Sequence, residues 1–130
     1  MALTQVVYGL TTGVEQADAA ILKSDETATL AVGYNVTTFN AGTKTTGTFT
    51  PAPASGNIQR AVNGGAFTLA PPATDCVMII QITNNASAGT ITTTGFTTVE
   101  GTLTTTNGDD FLLYITRVNG FNLLSVRALQ

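Results

Sequence analysis

The chain has 130 residues, about one domain, and a chain of that length buries roughly two-thirds of its unfolded surface. Hydrophobic residues make up 43% and charged residues only 10%, with five cations, eight carboxylates, no histidine and a net charge of −3. That balance excludes a disordered chain and a basic nucleic-acid surface, and the absence of any apolar run of about 18 residues excludes a helical membrane span.

Taken in order, Leu3 to Tyr8 suits a short strand or an extended arm. Thr12 and Glu15 have the spacing of a helix capping box. Glu15 to Leu22 is the one helix-like window, and a helix that short needs packing partners. Residues 1–26 are therefore read as an N-terminal arm or short helix, ended by the charged cluster Lys23-Ser24-Asp25-Glu26. Val6, Val7, Tyr8, Ile21 and Leu22 are its candidate assembly contacts. The start of the chain has neither the charged nor the apolar region of a signal peptide, so synthesis in a cytoplasm is expected.

From Thr27 the apolar period becomes two, which predicts strands. Strands are expected at 27–32 and at Tyr34 to Phe39, with a turn at Asn40-Ala41-Gly42. A Thr-rich strand is expected from Lys44 to Thr50, at an edge or in an interface, where Lys44 discourages edge pairing. Pro51 and Pro53 make a stiff loop. Asn57 to Val62 alternates and runs into Asn63-Gly64-Gly65, a hairpin signal before the short strand Ala66 to Ala70. Cys76 to Thr83 is the most apolar strand, apolar on both faces, which predicts a central strand or one face in an interface. Thr90 to Thr93 and Phe96 to Val99 follow as short strands broken at Gly95.

The strongest local signal comes last. Phe111 to Val118 and Phe121 to Ala128 flank Asn119-Gly120, the signature of a two-residue hairpin turn. Phe111, Leu113, Ile115, Phe121 and Leu123 are expected in the core. Leu112, Tyr114, Leu124 and Val126 form a second apolar set, expected against a second sheet or a neighbouring subunit, so Tyr114 and Leu124 join the candidate assembly contacts. About eight short strands with regular turn signals and no internal repeat predict an all-β antiparallel β-sandwich, jelly-roll-like, over residues 27–130.

Chemistry has little to work with. Without histidine there is no Ser-His-Asp triad, and one cysteine makes no zinc site and no intrachain disulfide. Neither a phosphate-binding nor a dinucleotide-binding glycine motif is present. Cys76 is either a small buried hydrophobe or, as an assembly contact, an intersubunit disulfide or reactive thiol. Asp109-Asp110 with Glu100 is either a calcium loop or a turn before a strand. No enzyme activity, cofactor or metal is expected. Glycan binding is open to a β-sandwich, but the chain has no tryptophan and three tyrosines for sugar stacking. So little charge leaves a monomer a thin solubility margin, so part of the surface is expected to lie in an assembly.

The segments Tyr34-Asn35-Val36, Asn40 to Lys44, Gly47 to Pro51, Gly56-Asn57, Asn63 to Pro72 and Asn107 to Phe111 resemble a small β domain of tailed-bacteriophage virion proteins. The resemblance covers roughly residues 27 to 130; Gly64 to Pro72 is its most specific part, and residues 1–26 have no counterpart in it. It implies a structural role without catalytic residues, as a capsid decoration (cement) protein bound as a trimer to the outer head surface. The implied partners are the major capsid protein or another virion protein, and the implied location is the capsid surface. The alternative is a fibre or collar tip module that binds a host receptor or glycan.

Overall fold

Nine strands follow one another in the computed structural model, which describes residues 33 and 35–130. They are β1 (Phe39–Lys44), β2 (Thr48–Phe49), β3 (Ile58–Asn63), β4 (Phe67–Leu69), β5 (Cys76–Asn84), β6 (Ile91–Thr93), β7 (Thr98–Glu100), β8 (Asp110–Val118) and β9 (Phe121–Ala128). All belong to one compact unit, Val36–Gln130. The arm at 1–26, with Val6, Val7, Tyr8, Ile21 and Leu22, and the strand expected at 27–32 lie outside the described residues.

The strands form a large sheet, ordered β1-β3-β5-β8-β9-β7, and a small one, ordered β2-β4-β6. β1, β3 and β5 pair in parallel, and so do β2, β4 and β6. The chain therefore runs along one wall, crosses to the other, and returns one strand further on. Phe39 pairs with Gln59, Ile58 with Ile79 and Thr48 with Thr68, so each coil takes about twenty residues. This is a β-solenoid-like stack of parallel strands, and it overturns the expected antiparallel, jelly-roll-like sandwich. Alternation and turn spacing report short, half-buried strands. They do not report whether a strand pairs with its successor or with the strand one coil later.

The corners explain the difference. Asn63-Gly64-Gly65 reads as a hairpin turn, yet it carries the chain from β3 in one sheet to β4 in the other. The Gly64 N–H donates to the Lys44 carbonyl at 2.9 Å, and the Asn85 N–H donates to the Asn63 carbonyl at 3.1 Å. Corner stacks on corner, as strand stacks on strand. A Cβ at Gly89 would collide with the backbone of Gly65 and Ala66, so only glycine lets these two corners touch. On the opposite side, buried Gln59 donates its amide to the carbonyls of Ala52 and Gly56, each at 2.9 Å, and ties down the turn that holds Pro53–Ser55.

Boundaries shift accordingly. The strand expected from Tyr34 begins at Phe39 and absorbs the Asn40-Ala41-Gly42 turn as an irregularity in β1. The strand expected from Lys44 to Thr50 is cut by a corner, leaving only Thr48–Phe49.

The stack ends in antiparallel pairing. β8 lies antiparallel on β5, from Cys76 opposite Arg117 to Thr83 opposite Asp110, and β9 folds back on β8. Asn119 (φ 50°) and Gly120 (φ 81°) supply the two positive φ angles that a type I′ turn needs. A two-residue turn makes Val118 the partner of Phe121, and every later pair follows from that. Phe111, Leu113 and Ile115 therefore share their face with Leu124 and Val126. The expected core membership of Phe121 and Leu123 is corrected: both are exposed, and Leu124 and Val126 are buried in their place. Met78, Ile80 and Ile82 of β5 extend the core, which closes on Phe49, Phe67, Leu69 and Ile91 of the small sheet.

Candidate assembly surface

Alternation leaves the large sheet with one face on the core and one outside. Across a ladder, paired residues point the same way, so the outer face can be read row by row. At the hairpin tip stand Val118 and Phe121. The next row is Val77, Thr116, Leu123 and Thr98. Below it run Ile58, Ile79, Tyr114, Ser125 and Glu100. The following row turns polar, with Asn40, Arg60, Gln81, Leu112 and Arg127.

The upper three rows carry an apolar patch that the described body does not cover. Phe121 is 67% exposed, Val77 61% and Val118 60%, with Tyr114 and Leu123 also exposed. Single exposed apolar residues are ordinary, but a contiguous patch marks an interaction surface. Beside it, Thr98, Glu100, Thr116, Phe121 and Leu123 line a groove of about 430 Å³. A second groove, of about 230 Å³, lies at the opposite edge around Asn40, Arg60, Gln81 and Thr83.

The small sheet's outer wall is different in kind. Thr48, Thr68 and Thr92 lie side by side across its three strands, with Phe49, Leu69 and Thr93 on the inner side. This wall carries hydroxyls and methyl groups and no aromatic ring.

No protein-family model, no curated protein and no solved structure matches this chain.

Of the contacts expected from sequence, Tyr114 lies in the exposed patch. Leu124 is 0% exposed and belongs to this chain's own core, so its expected role as an assembly contact is corrected. Cys76 is half-buried at the start of β5, packed against the core. Burial pushes its thiol pKa up; Arg117, its partner across the ladder, pulls it down, and neighbouring Asp75 raises it. Arg117 lies 3.7 Å from Asp75 through Nε and donates to the Pro72 carbonyl.

The acidic pair is taken up by its neighbours. Asp110 accepts from the Thr83 hydroxyl and, at 3.1 Å, from the Gln81 amide; Asp109 accepts from Thr104. Glu100 sits opposite Ser125, whereas the Asp110 carbonyl is bonded to Leu129, four residues along. Among the described residues, no three His, Cys, Asp or Glu side chains converge.

Sequence reading puts Phe121 and Leu123 in the core; it sets Val118 on the Tyr114 face and Val77 on an apolar face of β5, but names neither among the assembly contacts. The signal was present for the first three. Asn119-Gly120 fixes Val118 opposite Phe121, so the odd-numbered residues of β8 share a face with the even-numbered residues of β9.

Proposed function

We propose that this chain is a structural virion protein, a capsid decoration protein that assembles as a trimer on the outer head surface. One observation carries the reading beyond the resemblance noted above. Val77, Tyr114, Val118, Phe121 and Leu123 form one exposed apolar patch on the outer face of the six-stranded sheet. Water contact along such a wall is unfavourable by about 25 cal/mol for each Å² left uncovered, so the surface favours a partner. A stack of hydrogen-bonded coils presents that wall without needing to order it first, which lowers the cost of binding.

A second reading is a fibre or collar tip that binds a host receptor or glycan. The antiparallel strands β8 and β9 end the run of parallel coils in the large sheet, with β7 at the edge beyond them, which is where a shaft would terminate. Exposed Tyr114 and Phe121 offer two rings on one face.

Cryo-electron microscopy of virions assembled with the full chain separates the two. Density for it on the head lattice supports decoration; density at the distal end of a fibre, with glycan binding by the purified chain, supports the second reading. Virions that contain none of this chain would sink both.

A further inference from the structure

We infer that Asn119 is a site of spontaneous chemical modification: the backbone nitrogen of Gly120 attacks its side chain, and water opens the product to aspartate or isoaspartate at the tip of the β8–β9 hairpin.

Three asparagines in the chain precede a glycine: Asn63, Asn107 and Asn119. A glycine has no Cβ to shield its own nitrogen from an approaching carbonyl carbon, so all three share the local chemistry. The fold separates them. Asn63 is fully buried, and its side-chain amide is held by the Asn84 side chain and the Gly89 carbonyl, its side-chain oxygen by the Gly89 N–H. The nitrogen that would attack it, on Gly64, is committed to the Lys44 carbonyl at 2.9 Å. Asn107 is exposed, but the Gly108 N–H donates to the Asn84 carbonyl at 2.9 Å.

Neither lock is present at the hairpin tip. Asn119 is exposed, and among the described residues neither its side chain nor the Gly120 N–H has a hydrogen-bond partner. The bonds that do form there leave the reacting groups out. The Asn119 N–H donates to Asp75 Oδ2 at 2.9 Å, and the Gly120 carbonyl accepts from the Asn122 side-chain amide at 3.1 Å. Asn119 is also the one non-glycine residue with positive φ among the described residues. The last rung beside it pairs Val118 with Phe121, both exposed, so the tip opens locally at far lower cost than a stacked corner. Opening lets the Asn119 ψ angle rotate until the Gly120 nitrogen faces Cγ of Asn119.

The deprotonated Gly120 nitrogen then attacks that Cγ. A bond from nitrogen to Cγ closes a succinimide ring, and the Cγ–Nδ2 bond breaks. Nδ2 leaves as ammonia, which carries away the proton that the Gly120 nitrogen gave up. Water adds next to one of the two ring carbonyls. Opening at Cγ gives aspartate; opening at the main-chain carbonyl gives isoaspartate, whose backbone runs through Cγ.

The two products differ in what they do to the hairpin. Aspartate tolerates positive φ and keeps the turn, while adding a carboxylate next to Asp75. Isoaspartate inserts one more carbon into the main chain of the turn that sets Val118 opposite Phe121. The two-residue geometry is then lost, and with it the fixed register of the tip rows, Val118 with Phe121 and Thr116 with Leu123. Ageing therefore acts on one end of the exposed apolar patch and spares the buried corners.

The full chain, folded or unfolded in urea, is incubated at neutral pH. The three sites are read by peptide mass spectrometry with fragmentation that tells aspartate from isoaspartate. In the folded chain Asn119 should convert at least about ten-fold faster than Asn63 or Asn107, because a fraying tip and a bonded corner open at very different free energies. In urea the three should convert at similar rates. Asn119→Gly keeps a turn that accepts two positive φ angles and removes the reacting side chain. Aged wild type should unfold at a lower urea midpoint than fresh wild type, whereas aged Asn119→Gly should match its own fresh sample. Three outcomes overturn the inference. The first is Asn63 or Asn107 converting as fast as Asn119 in the folded chain. The second is Asn119 staying intact there over a time in which the unfolded chain converts it. The third is a midpoint that falls equally in Asn119→Gly.

Discussion

The side-chain amide of Asn63 donates to the side-chain oxygen of Asn84 at 2.9 Å, and the two residues occupy the same corner of successive coils. Both are buried. The Asn63 side chain also brackets Gly89, accepting from its N–H at 3.2 Å and donating to its carbonyl at 2.9 Å. Asn84 donates onward to the carbonyls of Thr104 and Thr106, at 2.9 and 3.0 Å. The stacked pair therefore satisfies loop backbone that the sheets cannot reach. Removing either amide leaves its partners buried and unpaired, which costs about 1–3 kcal/mol per group. Asn63→Ala and Asn84→Ala should each lower the urea-unfolding free energy by roughly that amount. The double variant should cost less than the sum, because the shared bond can be lost only once.

Gly89 gives a sharper test of corner stacking. A methyl group there would collide with the backbone of Gly65 and Ala66, which cannot rotate away as a side chain can. Gly89→Ala should cost about 3 kcal/mol, the upper end for forcing atoms into packed space. Gly108 is the control. Its φ of +88° is unfavourable for alanine, but nothing lies within 4 Å of the added carbon. Gly108→Ala should cost only about 1–2 kcal/mol, the backbone penalty alone. Thermal melts of the two variants, compared at the same pH, separate the effects.

Strand content was legible in the sequence because period two and Asn-Gly turns are local. β5 and the β8–β9 hairpin are read correctly for that reason. Strand pairing was not legible, because Ile58 finds Ile79 rather than the strand that follows it. The coil repeat hides because only a few positions per coil are constrained. Phe49 and Leu69 fill the core of successive coils, and the chain reaches Pro51 and Pro71 two residues after each. Other coil positions, such as Asn40 beside Arg60, share no chemistry. The surface patch was half legible. Tyr114 is exposed, as an assembly contact would have to be, whereas Leu124 and Leu123 exchange places, because the turn and not residue number sets the phase of the two hairpin strands.

Cys76 offers a test that depends on pH. Burial holds its thiol above the ordinary range, with Asp75 adding to the shift and Arg117 opposing it. A raised pKa means less thiolate at a given pH, and thiolate is the reactive form. Alkylation of the native protein at pH 7 should therefore run slower than that of the unfolded chain. The native rate should keep climbing at pH values where the unfolded rate has levelled. Asp75→Asn removes a neighbouring anion, so it should lower the pKa and speed alkylation at fixed pH. A native rate equal to the unfolded one at all pH values would contradict the placement of Cys76 against the core.

Leu123 and Leu124 are adjacent in sequence and opposite in role, and the fold makes different demands of them. Leu124 packs against the core at zero exposure, whereas Leu123 stands on the outer wall. Leu124→Asp would bury a carboxylate with no partner, a change expected to cost more than about 4 kcal/mol and to unfold a domain of ordinary stability. In the single chain, Leu123→Asp puts its carboxylate in water on a strand already held by β8 and β7, so it should cost the fold under about 1 kcal/mol. Unfolding curves followed by circular dichroism decide the matter. If both variants kept the wild-type midpoint, or both lost it, the parity set by Asn119-Gly120 would be wrong. The core and the exposed wall would then have to change places.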